Sequence, residues 1–231
     1  MLELQNINSF YGNSHILHDV SLRVDPGSFT AVVGRNGMGK TMLLKTIMGL
    51  SDRMRGSIAL GGKQLAHQPT HLRAKAGIGY VPQGREIISQ FTVKENILMG
   101  CYARKDGKKQ LPDLVLDLFP YLKDNLHRRA GLLSGGQQQQ LAIARALAAN
   151  PTMLLLDEPT EGIQPNIVEQ IEQTIIRLNQ ELGLTILLVE QNILFTRRAA
   201  QHFVMMNNGF VAASGTIAQL SDDLIHQYMA V

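Results

Sequence analysis

The sequence predicts an α/β fold: a mostly parallel sheet, an antiparallel β subdomain at the N-terminal end, and an inserted α-helical subdomain. Three observations carry this. Phe29–Val33 is a short apolar run without alternation, as expected of a strand covered on both faces. It runs straight into a glycine-rich loop and then into a helical stretch, Lys40–Met48. Between about residues 86 and 150 the pattern turns helical with no convincing strand, and strands return afterwards.

The elements follow in order. Leu2, Leu4 and later Val20, Leu22 and Val24 alternate with period two, the mark of half-buried strands. Pro26-Gly27 turns the chain into Phe29–Val33, and Gly49 stops the helix Lys40–Met48. Ser57–Leu60 with Gly61-Gly62 predicts a strand and a hairpin turn, and Ile78–Val81 a strand ending at Pro82-Gln83. Leu111–Leu122 and Gln137–Ala149 are the clearest helices of the insertion; Ser134 is a candidate N-cap for the second. Strands are expected at Met153–Leu156, Thr185–Val189 and Phe203–Met206. Between the first two, Pro165 opens a helix with Ile167, Ile171, Ile175, Leu178 and Leu182 on one face, ended by Gly183. Asn207-Asn208-Gly209 signals a turn. The domain reading is one unit over residues 1–231: a strand–helix core from 1–85 and 151–231, and a helical subdomain from 86–150.

Composition bounds the function. At 231 residues the chain suffices for one large domain, and 45% apolar with 18% charged residues is ordinary for a soluble globular protein. A net charge of +3 suits anionic ligands but lacks the clustered excess of a nucleic-acid binder, so no nucleic-acid partner is expected. The basic stretches Arg104–Lys109 and His127–Arg129 read as solvated faces. Cys101 is the only cysteine and reads as a small buried hydrophobe in a reducing compartment. No apolar run approaches the ~18 residues that span a bilayer. The first residues lack a basic and an apolar region, so no signal peptide is expected. His67 and His71 bracket Gln68-Pro69-Thr70, which reads as a loop rather than a metal site.

The chemistry concentrates in a few strings. Gly34-Arg35-Asn36-Gly37-Met38-Gly39-Lys40-Thr41 fits the G-x-x-x-x-G-K-[ST] loop, whose backbone N–H groups cradle phosphates. The helix that begins near Lys40 points its positive end at the same place. Lys40 reaches the β/γ oxygens, and Thr41 supplies a hydroxyl to Mg²⁺. Asp157 and Glu158 end a buried strand: either they turn outward to water, or they occupy the crevice at the carboxyl ends of the strands where ligands bind. Ser134, Gly135 and Gly136 offer a hydroxyl and bare amides at a second helix N-terminus, another anion cradle.

A phosphate loop followed by Leu133-Ser134-Gly135-Gly136-Gln137 and then by Met153-Leu154-Leu155-Leu156-Asp157-Glu158 resembles the ATP-binding cassette (ABC) ATPases over essentially the whole chain. The resemblance implies that Gly34, Arg35, Asn36, Gly37, Met38, Gly39, Lys40, Thr41 and Met42 bind ATP. It places Tyr11 against adenine, and Ser134, Gly135, Gly136 and Gln137 on the nucleotide of an opposite subunit. Mg²⁺ falls to Thr41, Gln83 and Asp157. Glu158 is then the general base, with Lys40 and Gln191 completing the catalytic set. Three positions depart from the usual pattern: Met42 where a second hydroxyl is common, Gln164 where an aspartate is common, and Gln191 where many members place a histidine. Glutamine there is a habit of the ATPases of branched-chain amino acid and urea or short-amide importers. The strings Gly34–Lys40, Gly77–Glu86 and Glu161–Pro165 resemble the second ATPase subunit of urea importers, which implies an ATPase powering import of urea or short amides, with branched-chain amino acid import as the alternative. The expected partners are membrane permeases and a second ABC ATPase subunit, either itself or a different chain, at the cytoplasmic face of the cell membrane. A soluble non-transport ABC ATPase and a non-hydrolysing assembly subunit are the rival readings.

Overall fold

A computed structural model describes residues 1–229 and builds two sheets joined by the helices that the loops launch. In chain order the elements are β1 (Leu2–Tyr11), β2 (Ser14–Val24), β3 (Phe29–Val33), α1 (Lys40–Met48), β4 (Arg53–Leu60), β5 (Lys63–Gln64), α2 (Thr70–Ala76) and β6 (Ile78–Val81). The insertion follows with α3 (Val93–Cys101), α4 (Asp113–Leu118), α5 (Pro120–Asp124) and α6 (Gly135–Ala148). The chain then returns through β7 (Met153–Asp157), α7 (Pro165–Gln180), β8 (Thr185–Val189), α8 (Ile193–Ala199), β9 (His202–Asn207), β10 (Phe210–Thr216) and α9 (Asp222–Met229).

The period-two pattern of the first strands becomes a four-stranded antiparallel sheet in the order β2-β1-β4-β5, with Leu2 opposite Val24 and Leu4 opposite Leu22. The non-alternating strands form the second sheet, β10-β9-β3-β8-β7-β6, parallel except for the edge strand β10. Alternate residues of one such strand feed two different cores. Leu154 and Leu156 of β7 pack with α3, α6 and α7, whereas Met153 and Leu155 pack with α1 and the antiparallel sheet. Every residue of β3, β7 and β8 is therefore buried, which is why these strands read as unbroken apolar runs.

Helix ends follow local chemistry. Gly49 takes φ 73° at the C-cap of α1, and the buried Arg73 closes that end by donating to Thr46 O at 2.9 Å and Ile47 O at 2.8 Å. Ser134 caps α6 in a capping box with Gln137. Asn208 and Gly209, at φ 47° and 81°, form the tight turn joining β9 to β10.

Four expectations are corrected. Leu111–Leu122 is not one helix: Phe119 leaves the helical region at φ −130°, ψ 73°, because Pro120 lacks an N–H and crowds the residue before it. Of the expected loop Gln68-Pro69-Thr70, Thr70 already starts α2 and His71 lies inside it, with Pro69 as the extended N-cap. β4 begins at Arg53, four residues before Ser57, because it pairs along the length of β1. Helix α7 ends at Gln180, so Leu182 lies beyond it and is 48% exposed. Among the described residues no helix is long and apolar enough to cross a membrane.

Candidate functional site

The carboxyl ends of β3, β7 and β8 converge, and the loops leaving them carry nearly every polar group singled out in the sequence. The loop after β3 closes into α1, whose N-cap is Gly39 at φ 96° with no capping side chain. The first N–H groups of a helix have no intrahelical partner, so an uncapped N-terminus is left facing whatever sits in the loop. Gly34 is dictated by packing as much as by ligand approach: a Cβ there would run into the Met206 carbonyl of β9. From outside, the β9–β10 turn clamps the loop. Gly209 N–H donates to Met38 O at 3.1 Å, and Gly209 O accepts from His18 N–H at 2.9 Å.

Lys40 is 4% exposed. Its ammonium donates to Gly34 O at 2.8 Å and Arg35 O at 3.0 Å, and stands 3.6 Å from Glu158 Oε1. Burial pulls its pKa down, and the nearby Glu158 carboxylate opposes that. Thr41 Oγ1 donates to Asp157 Oδ1 at 3.1 Å. Asp157 is fully buried, and burial pushes its carboxyl up to about 6, opposed by the Thr41 hydroxyl and reinforced by Glu158. Its second oxygen, Oδ2, has no partner among the described residues. A buried carboxylate with an orphan oxygen beside a threonine hydroxyl is a donor set that fits a hard divalent cation such as Mg²⁺.

Glu158 sits just past the end of β7 at φ 46°, a left-handed conformation uncommon for a residue with a side chain. It is held there by its N–H donating to Val189 O at 2.9 Å. Its Oε1 accepts from Gln191 Nε2 at 2.8 Å and its Oε2 from Gln83 Nε2 at 3.4 Å. Gln83 also donates to Glu161 Oε2 at 2.7 Å. Arg145 of α6 donates to Glu86 O at 2.8 Å, which ties the segment after Gln83 to the helical insertion.

A cavity of about 380 Å³ opens over the loop, lined by Ile16, Asn36, Gly37, Gly39, Lys40, Thr41, Met42, Gln83 and Glu158. The structure thus gathers Lys40, Thr41, Gln83, Asp157, Glu158 and Gln191 into one place. It does not bring Ser134–Gln137 or Tyr11 to the lining of that cavity. Tyr11 stands at the tip of β1 with 71% of its surface exposed. Ser134 Oγ accepts from Gln137 N–H at 3.4 Å, while Gln137 Oε1 accepts from Ser134 N–H at 2.9 Å. Gly136 is required by close packing: a Cβ there would run into the Ile167 side chain of α7. Two groups at the site were given no role from the sequence, Glu161 and the buried Glu190. For Glu190 the signal was available, since an acidic residue at the end of an apolar strand is the same pattern that singled out Asp157.

Comparison with known proteins follows the same lines. Residues 17–161 match the family model described as ABC transporter. The high-affinity branched-chain amino acid transport ATP-binding protein BraG of Pseudomonas aeruginosa is 41% identical over 95% of this chain and 94% of its own. The probable branched-chain amino acid transport ATP-binding protein LivF of Archaeoglobus fulgidus matches at the same identity and coverage. Among solved structures, an ATP-binding cassette captured as a dimer in a post-hydrolysis state with ADP and Pi superposes with a TM-score of 0.83. It is 27% identical and covers 94% of this chain and 99% of that one.

Proposed function

The chain belongs to the ABC transporter ATP-binding family, and on that premise we propose that it powers a solute importer by hydrolysing ATP at the site built on Lys40, Asp157 and Glu158. The observation that carries the reading is the convergence of Lys40, Gln83 and Gln191 on the single carboxylate of Glu158. Mg²⁺, when bound at Thr41, Asp157 and Gln83, supplies charge neutralisation on the phosphate oxygens.

The chain's own groups do the rest. Gly34–Thr41 present backbone N–H groups and the open end of α1 to the phosphates of ATP, and Tyr11 offers its exposed ring to the adenine. Lys40 exchanges Gly34 O, Arg35 O and Glu158 for phosphate oxygens. That exchange releases Glu158 Oε1 to accept a proton from the attacking water. Gln191 keeps the carboxylate oriented; as a neutral amide it positions without adding charge. Ser134–Gln137, remote from this cavity, serve the nucleotide of a second ATPase subunit. Met42, where a hydroxyl is common, leaves out one phosphate contact worth about 1 kcal/mol.

A groove of about 320 Å³ between core and insertion, lined by Met48, Tyr80, Ile88, Met99, Ala103 and Arg145, suits docking of a permease subunit. It adjoins the segment that follows Gln83, so docking there acts on the site through Gln83 and Arg145. The solute follows the relatives: two proteins named for branched-chain amino acid transport, each 41% identical, favour a branched-chain amino acid. The urea or short-amide reading is second and rests on the strings Gly34–Lys40, Gly77–Glu86 and Glu161–Pro165. Removing the chain from its host and following uptake of labelled leucine and labelled urea separates them, because only the true solute's uptake is lost. For hydrolysis, Glu158→Gln is expected to lower ATP turnover by about 100-fold or more while ATP binding persists. Unchanged turnover would sink the assignment of Glu158 as base.

A further inference from the structure

Glu190 lies just past the end of β8, 5% exposed, and forms no ion pair among the described residues. Its carboxylate is satisfied by three donors instead. Oε1 accepts from Gln191 N–H at 2.8 Å and from Asn192 N–H at 3.1 Å, and Oε2 accepts from the Thr160 hydroxyl at 3.0 Å. These donors come from two loops that meet nowhere in sequence. Thr160 stands two residues after Glu158 on the loop leaving β7, while Gln191 and Asn192 open the loop leaving β8. The circuit closes through the Gln191 side chain, whose Nε2 donates to Glu158 Oε1 at 2.8 Å.

We propose that Glu190 is a positioning residue for ATP hydrolysis: one buried carboxylate fastens the Thr160 loop and the Gln191 backbone together and thereby holds the Gln191 amide against Glu158. The inference rests on the reading of Glu158 as the base and goes beyond it. A space-filling role does not account for the residue. The position before it, Val189, shows that this strand end buries an apolar side chain without difficulty. A carboxylate in no close ion pair is costly to bury, and desolvation pushes the Glu190 carboxyl upward against the pull of its three hydrogen bonds, with Lys40 the cation that feels its charge. What a carboxylate offers at this point is acceptor capacity on two oxygens, which an ionised Asp or Glu alone provides without donating. Its own N–H donates to Val32 O at 3.2 Å, so the bridge is anchored to β3, the strand that feeds the phosphate loop.

The test measures steady-state ATP turnover of the full chain for Glu190→Ala, Glu190→Gln, Gln191→Ala and the double variant Glu190→Ala/Gln191→Ala. Misplacing an orienting group costs about 100-fold, so Glu190→Ala is expected to lower kcat by about that factor with KM for ATP little changed. Glu190→Gln keeps an acceptor for the backbone donors and is expected to retain kcat within about ten-fold. In the Gln191→Ala background, Glu190→Ala is expected to cost nothing more, because the group it positions is already gone. A kcat for Glu190→Ala within about three-fold of wild type, a loss appearing in KM, or losses that multiply in the double variant would each overturn the proposal. If Glu190→Ala does not melt cooperatively, Thr160→Val takes its place: about five-fold lower kcat alone, and no effect on Gln191→Ala. Glu158→Gln is run beside them. Retained turnover there removes the base itself, whereas its loss with additive Glu190 effects removes only the positioning role.

Discussion

The chain carries two glycine-rich helix N-termini, at α1 and α6, and they are finished differently. At α1 the cap is Gly39, with no side chain to occupy the end of the helix, and charged groups crowd around it: Lys40, Asp157 and Glu158. At α6 the cap is Ser134, which engages Gln137 in a reciprocal pair, and Gly136 is pressed against Ile167 of α7. One end is left open, with its counter-charges supplied by the same chain. The other is closed by its own side chains, its serine hydroxyl keeping one hydrogen to donate outward. The difference matches the roles proposed above: an open α1 suits binding phosphate alone, and a self-capped α6 suits adding contacts to a phosphate brought by another subunit.

The comparison is broken most severely at α1. Lys40→Ala removes the cation from the open end, and ATP turnover is expected to fall about 1,000-fold or more, with weaker nucleotide binding by the isolated chain. Equilibrium binding of a fluorescent ATP analogue and a phosphate-release assay check both parts. If the isolated chain binds nucleotide equally well after the change, the open end is not the cis site.

A pH series sharpens the comparison next. The Asp157 carboxyl, at about 6 in the fold against an ordinary 3.8, favours its protonated form there. The nucleotide-free protein therefore holds this contribution below about pH 4 and loses it as pH rises through about 6. The full swing corresponds to ~3 kcal/mol. Mg²⁺ held at Asp157, as proposed, needs the ionised carboxylate, so the extra thermal stabilisation that Mg²⁺ adds in the presence of ADP is expected to shrink as pH falls through about 6. Differential scanning calorimetry with and without Mg²⁺ reads this directly, and Asp157→Asn should flatten the dependence.

The smallest effect belongs to α6. Ser134→Ala loses the cap, a cost of about 1 kcal/mol in stability. Nucleotide binding by the isolated chain should stay as it was, while turnover in the assembled pair falls. A drop in binding by the isolated chain would place the second cradle in the same site as the first.

Much of the fold was legible because local signals and burial agree. The strands Phe29–Val33, Ile78–Val81 and Thr185–Val189 and the helix Lys40–Met48 lie where periodicity and glycine placed them. What failed was short or non-local. The break at Phe119 depends on Pro120 overriding an apolar pattern, and α2 and α8 span only seven residues each, too few for a period of 3.6 to declare itself. The motif residues of the site were legible because phosphate chemistry demands fixed spacing. Glu161 and the Met206 carbonyl behind Gly34 were not, because their partners lie in loops and strands brought together only by the parallel sheet; Glu190 was marked by its place at a strand end, but its link to Thr160 exists only in the fold.

The clamp on the phosphate loop has a consequence for biosynthesis. The loop occupies residues 34–41, yet the backbone that braces it, at Gly209 and Met206, comes far later in the chain. A chain emerging from the ribosome displays the complete motif long before it owns the scaffold that fixes its shape. β3 likewise waits for β8 and β9, its two neighbours in the sheet. The shape of the phosphate loop therefore depends on strands that leave the ribosome well after it.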